Sequence, residues 1–269
     1  MRRSLHTLLG FGLVGALVVV VLVGLIWLPY DPLTIDLDHT LAPPSLAHWL
    51  GTDEFGRDVA ARAMLGARIS LSIAIETVAI AVVAGTALGL VAGFLRGWTE
   101  RVLMTFSDAL LAFPGILLAL ALVAVLGSSR HSIVIALAIA YLPATIRVVR
   151  GAVISIRERE YVEASRVAGD GVVYTMVRHV LPNALPPILV LATSLFGWVV
   201  LSESALSFLG VGVPPPLPTW GNMLASARPY MYDASWLSIA PGLCIVATLL
   251  GVNMLGDALR DRLDPREAS

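Results

Sequence analysis

Lysine is absent from this 269-residue chain, so all 18 of its basic residues are arginine. A phosphate-binding P-loop uses a lysine to reach the nucleotide phosphates. The chain cannot carry one, and any ATP hydrolysis it depends on must take place on a partner. Charge of either sign is scarce. Charged side chains make up 14% of the residues against 57% hydrophobic, and the mean hydropathy is +0.84. Soluble domains hold about 25% charged and 45–50% apolar residues, so this chain has too little charge to coat a soluble surface of its size. A formal net charge of −1 supplies no basic field for nucleic acid, which is excluded as a partner. The lone Cys244 can form neither an internal disulfide nor a cysteine-based metal site, and within its apolar run it reads as a small buried hydrophobe. Catalytic signatures are missing too. There is no H-E-x-x-H and no G-x-S-x-G, and His6, His39, His48, His131 and His179 are scattered. No catalytic residue and no metal site is assigned, and the chain is expected to bind no cofactor itself.

What the chain does have is long apolar runs. A hydrocarbon core about 30 Å thick needs about 20 apolar residues at 1.5 Å each. Residues 8–28 meet this without one charge. The run is longer than the 7–15 residues of a signal h-region and lacks a small-residue cleavage site, so it reads as a retained span. Pro29, Asp31 and Pro32 close it. Five further spans are expected over 69–95, 102–126, 132–149, 181–201 and 237–255. Pro114, Pro143, Pro186, Pro187 and Pro241 interrupt four of them, which membrane helices tolerate. Gly85, Gly89 and Gly93 recur every four residues and predict a close helix contact.

The arginines set the expected orientation. With the N-terminus inside, Arg2, Arg3, Arg96, Arg101, Arg147, Arg150, Arg157, Arg159, Arg166, Arg178, Arg260, Arg262 and Arg266 are cytoplasmic. Arg57, Arg62, Arg68, Arg130 and Arg228 are outside, which makes 13 against 5 and puts both termini in the cytoplasm. The outer loop over 204–236 holds Pro214, Pro215, Pro216 and Pro218, which predict an extended, stiff segment. The chain divides into an N-terminal segment with the first span and outer loop (1–68) and a five-span core (69–269).

The most charged inner segment lies at about 157–180. It starts Arg157-Glu158-Arg159-Glu160-Tyr161-Val162-Glu163-Ala164-Ser165-Arg166, with Tyr161, Ala164, Val167 and Ala168 at helical spacing and a break at Gly169 or Gly171. The apolar face of this short helix must lie on the membrane surface, on its own bundle or in a partner's groove. The segment resembles the E-A-A-x(3)-G-x(9)-I-x-L-P loop of ABC importer permeases. Glu163, Ala164, Gly169, Leu181 and Pro182 match in register, while Ser165 replaces the second alanine and His179 the isoleucine. The resemblance implies a type I, MetI-like, all-α membrane protein of six spanning helices in a bacterial inner membrane. It implies that Glu160, Tyr161, Glu163, Ala164, Ser165, Arg166, Gly169 and Asp170 form a coupling helix seated in an ATPase subunit. The implied partners are a paralogous second permease, one or two ABC ATPase subunits carrying ATP and Mg, an external substrate-binding lipoprotein, and membrane lipid.

A second stretch narrows the family. Gly51-Thr52-Asp53, Gly56-Arg57-Asp58 and the nearby Gly66 to Leu71 are similar to the L-G-T-D-x-x-G-R-D signature of the second permease of dipeptide, oligopeptide and nickel importers. Ser202-Glu203-Ser204 and Trp220-Gly221-Asn222 resemble the same branch. The implied function is ATP-driven peptide import by alternating access, with nickel, glutathione or haem as the other cargoes of this architecture. Asp53, Arg57 and Asp58 either pin the outer loop or contact the binding protein. Among Glu76, Asp108 and Glu203, the ionisable residues inside spans, Glu203 is placed near the pathway or the permease interface together with Ser202 and Trp198. The other reading of Glu203 is a buried hydrogen bond to a neighbouring helix. A secondary transporter would leave the coupling-loop pattern unexplained and calls for an internal repeat, which is not evident.

Overall fold

A computed structural model describes residues 2–263, so Arg266 of the charge tally lies outside the described residues. Among the described residues the regular structure is helical: α1 (Arg2–Ile26), α2 (Val59–Leu95), α3 (Gly97–Leu111), α4 (Gly115–Leu126), α5 (Arg130–Arg157), α6 (Glu160–Val167), α7 (Val172–Thr175), α8 (Leu181–Phe208), α9 (Trp220–Ala227) and α10 (Trp236–Leu263). Five helical stretches are long and apolar enough to cross a membrane, or six if α3 and α4 count as one broken span.

The expected third span is the one that differs. α3 and α4 meet at 88°, because the chain leaves the helix at residues 112–114 and Pro114 cannot donate to the preceding turn. α2 starts at Val59, ten residues before the expected 69, because Asp58 caps it by accepting a hydrogen bond from the Ala61 amide at 2.7 Å. α2 therefore runs unbroken across residue 68, and Arg62 and Arg68 sit on a helix rather than in a loop. The segment over 204–236 is not one extended stretch. α8 continues to Phe208, and α9 opens at a capping box made by Thr219 and Asn222. The prolines inside α5, α8 and α10 leave those helices continuous. Ahead of Pro182 the chain makes one π-helical turn, Met176–Val180, with the Leu181 amide donating to the Met176 carbonyl.

The expected glycine contact is present between α2 and α5, which run parallel. A Cβ added at Gly85 would stand 2.5 Å from Thr145 Cβ, one at Gly89 2.7 Å from Val149 Cβ, and one at Gly93 2.8 Å from Val153 Cβ. Only hydrogen at these positions lets the two backbones approach this closely. Gly10 and Gly251 do the same for α1 against α10. α5 is also an electrostatic hub, since Arg130, Arg147 and Arg150 pair with Glu76 of α2 and with Asp108 and Glu100 of α3. Large apolar side chains remain exposed along α1, α4, α8 and α10, as lipid-facing helices require.

Candidate functional site

α6 is eight residues long and stands on the rest of the bundle through Val162 and Ser165. Val162 joins Leu90, Phe94, Val149, Val153, Met176, Val180, Ala184 and Ile188 in one buried cluster. The apolar stripe Tyr161, Ala164, Val167 and Ala168 is exposed, with Val167 84% accessible. The apolar stripe does not rest on its own bundle. It points away, as a ridge with Glu160, Glu163 and Arg166 beside it.

The turn that ends α6 is closed by a Schellman motif. Gly169 has φ +89, its amide donates to the Arg166 carbonyl at 3.0 Å, and the Asp170 amide donates to the Ser165 carbonyl at 3.1 Å. An L-residue rarely takes that backbone conformation, so the break falls at Gly169. Gly171, at φ −67, instead caps α7. Ser165 donates its hydroxyl to Asp170 Oδ2 at 2.6 Å and lies 3.1 Å from the buried Thr175 hydroxyl. The departure from alanine thus ties α6 to its own turn and to α7. The Arg166 guanidinium lies 4.7 Å over the Phe94 ring and that of Arg157 5.9 Å from it, which clips α6 to the end of α2. A cleft of about 540 Å³ opens beside them, lined by Arg96, Arg157, Glu158, Glu163, Arg166 and Val167. The arrangement carries out no bond chemistry. It is a short helix locked at its C-terminal end, seated through Val162 and offering an unpaired face, the geometry of a rigid docking element.

At the opposite end of α2 the second motif folds as one network. The Asp53 carboxylate accepts from the amides of Phe55 and Arg57, from Arg57 Nε at 2.7 Å, and pairs with Arg62 Nε at 3.2 Å. Arg62 also donates to the Pro32 carbonyl at 3.3 Å. Asp58 holds His48 Nδ1 at 2.9 Å while it caps α2. Thr52 donates to the His39 carbonyl at 2.5 Å and accepts from the Ala42 amide, and Trp236 Nε1 donates to the Thr52 carbonyl at 3.2 Å. Gly51 and Gly56, both at φ +72, make the turns. Burial pushes the Glu54 carboxyl above its ordinary value. These contacts account for Asp53 and Asp58 as loop-pinning groups. Arg57 is also engaged, with its guanidinium 4.6 Å over the Phe55 ring.

The three residues placed near the pathway separate. Glu203 is fully buried and accepts from Ser207 Oγ at 2.8 Å, in a pocket of hydroxyls that includes Ser204 and Thr219. It reaches no surface of this chain, and this hydrogen bond comes from Ser207 of its own helix α8. Ser202 is buried against the Tyr141 hydroxyl at 2.7 Å. Trp198 is exposed. Tyr141, the partner of Ser202 and of the Trp198 carbonyl, was not singled out by sequence reasoning. Its signal is a lone phenol in an otherwise apolar span.

Residues 85–269 match the family model described as binding-protein-dependent transport system inner membrane component. The chain is 46% identical over 244 residues to the di/tripeptide transport system permease protein DppC of Pseudomonas aeruginosa, covering 88% of this chain and 80% of that one. It is 43% identical over 240 residues to the glutathione transport system permease protein GsiD of Pectobacterium atrosepticum, covering 89% and 80%. Among solved structures, an inward-facing MetNI methionine ABC transporter chain superposes with TM-score 0.63 at 18% identity, covering 76% of this chain and 96% of that one. That likeness bears on the fold alone.

Proposed function

Because the chain belongs to the binding-protein-dependent transport system inner membrane component family, we propose that it is one of two pore-forming permeases of an ATP-driven importer that moves short peptides across the inner membrane. The observation that carries the coupling role is the exposed stripe Tyr161, Ala164 and Val167 on a helix locked by Gly169 and Ser165. A floppy loop transmits no push, whereas a short helix locked at its end and seated on the bundle moves as a body. ATP closure of the ATPase domains would draw this helix and its counterpart on the second permease together and open the cavity outward, and hydrolysis would reset it. In this reading the α6 end is cytoplasmic, ATP and Mg are held by the ATPase, and an external binding lipoprotein delivers the cargo to the end where Asp53 pins the loop.

Di- and tripeptides are favoured by the DppC relative, and glutathione, itself a tripeptide, by GsiD. The test is reconstitution. Proteoliposomes holding both permeases and the ATPase, supplied with the binding protein, should accumulate dialanine or glutathione only with ATP on the α6 side. Uptake should survive a collapsed proton gradient. Uptake without the ATPase, or labelling of α6 from the binding-protein side, refutes the reading.

A further inference from the structure

Asp108 and Arg147 form an ion pair in an unusual place. Arg147 Nη2 donates to Asp108 Oδ1 at 2.7 Å, and both side chains are about half exposed, at 51% for Arg147 and 57% for Asp108. Its depth follows from the α2–α5 register. Gly85 faces Thr145, Gly89 faces Val149 and Gly93 faces Val153, so Arg147 lies level with Ala87. Ala87 stands eight residues before the end of α2 at Leu95, about 12 Å at 1.5 Å per residue. From residue 77 to 95 α2 has no ionisable side chain. The pair is therefore level with an uncharged, apolar stretch of α2, one turn inside the Arg150–Glu100 pair, which moves Arg147 from the cytoplasmic tally into a span.

An exposed ion pair at that depth does not face lipid tails, since hydrocarbon solvates neither charge. A dry contact with the second permease fits poorly as well. A guanidinium carries five donors, and among the described residues the hydrogen bond to Asp108 is the one Arg147 makes through its side chain. Asp108 Oδ2 is likewise unengaged. Sealing those groups against protein leaves them desolvated and without partners, which is costly. Water, or a polar cargo, satisfies them.

Resting on the peptide-importer reading, we infer that the Asp108–Arg147 pair lines the water-filled translocation pathway and contacts the charged ends of a peptide in transit. A zwitterionic peptide presents a carboxylate, which matches the planar guanidinium fork, and an ammonium group, which matches the Asp108 carboxylate. The pair is neutral overall, so an exchange of partners with a neutral zwitterion leaves the net charge of the pathway unchanged. A contact of this kind guides passage without trapping the cargo. Ser107, beside Asp108, is buried and its hydroxyl lies 3.5 Å from the Pro143 carbonyl, which fixes α3 against α5 at this level.

The test uses the assembled transporter in proteoliposomes, with Cys244→Ala removing this chain's one thiol and labelling read on this chain. Arg147→Cys should react with a charged, membrane-impermeant methanethiosulfonate, and the reaction should slow about tenfold when ATP and orthovanadate hold the ATPase closed, a change of about 1.4 kcal/mol. No reaction in either state overturns the inference and leaves the pair to lipid or to the second permease. In parallel, Asp108→Asn, Arg147→Gln and the two combined should each slow dialanine uptake about tenfold with assembly intact. A combined variant that regains the parent rate overturns the inference in favour of a purely structural pair. A parent transporter that moves neither dialanine nor glutathione sinks the peptide reading instead, and the labelling result still decides whether the pair meets water.

Discussion

Replacing Gly169 isolates the backbone from every other variable. A Cβ added there meets nothing within 4 Å, so no clash accompanies the change. What remains is φ +89, which an L-side chain adopts at a cost of about 1–2 kcal/mol. The strain is relieved by opening the turn, which breaks the hydrogen bonds from Gly169 and Asp170 to the Arg166 and Ser165 carbonyls and frees the end of α6. A cost of 1–2 kcal/mol is a factor of about 5–30 in the population of the locked helix. Gly169→Ala should therefore weaken the affinity of the permease pair for its ATPase by about that factor, with peptide uptake falling in step. Gly169→Asn should fall between parent and alanine, because asparagine tolerates the left-handed region better. Gly171→Ala is the control. It is two residues away, equally open to solvent and at φ −67, and should leave both readouts unchanged. Affinity is read by titrating detergent-solubilised permease pair with labelled ATPase, and uptake in proteoliposomes. If Gly169→Ala and Gly171→Ala behave alike, the lever argument is wrong.

Three further outcomes follow from the packing. Gly89→Ala should destabilise the α2–α5 contact by about 1–3 kcal/mol, as overpacking does, because the new methyl meets Val149 Cβ at 2.7 Å and the Ile146 carbonyl at 2.8 Å. Gly151→Ala on α5, with open space around it, should not, and unfolding in mixed micelles followed by tryptophan fluorescence separates the two. Asp53→Ala removes the partner of the buried Arg62 and should cost about 3–5 kcal/mol locally, seen as faster proteolysis within residues 29–58. Ser165→Ala completes the E-A-A pattern but loses the hydroxyl bond to Asp170. It should weaken ATPase affinity by about 0.5–1.5 kcal/mol, and a variant that binds more tightly contradicts the assigned role of that hydroxyl.

The membrane class, the apolar spans and the two motifs were legible in the sequence because each rests on short-range pattern: hydropathy over about 20 residues, or fixed spacing within a loop. The Gly85, Gly89 and Gly93 contact was legible for the same reason, since a four-residue period defines one helix face. Three things were not. The 88° break was hidden because Pro114 resembles the prolines that α5, α8 and α10 absorb, and the carbonyls and neighbours that decide between kink and break are tertiary. The inward face of α6 stayed open because Val162 and Ser165 carry too little apolar signal beside Tyr161, Ala164 and Val167. The different settings of Glu203 and Asp108 were not legible, because whether a carboxylate in a span is buried by hydroxyls or left open beside an arginine depends on the helices around it.

By itself the sequence determined that this chain lives in a bilayer, that it holds no lysine with which to grip a nucleotide, and that it presents a short charged helix ended by glycine. Those are properties of composition and local spacing, which no fold can alter. The tertiary structure alone decided which face of that helix is offered outward, how sharply the third span breaks, and which charge meets a partner from another helix. Each of these depends on contacts between residues tens of positions apart, and the free energy of such contacts exists only once the helices have packed.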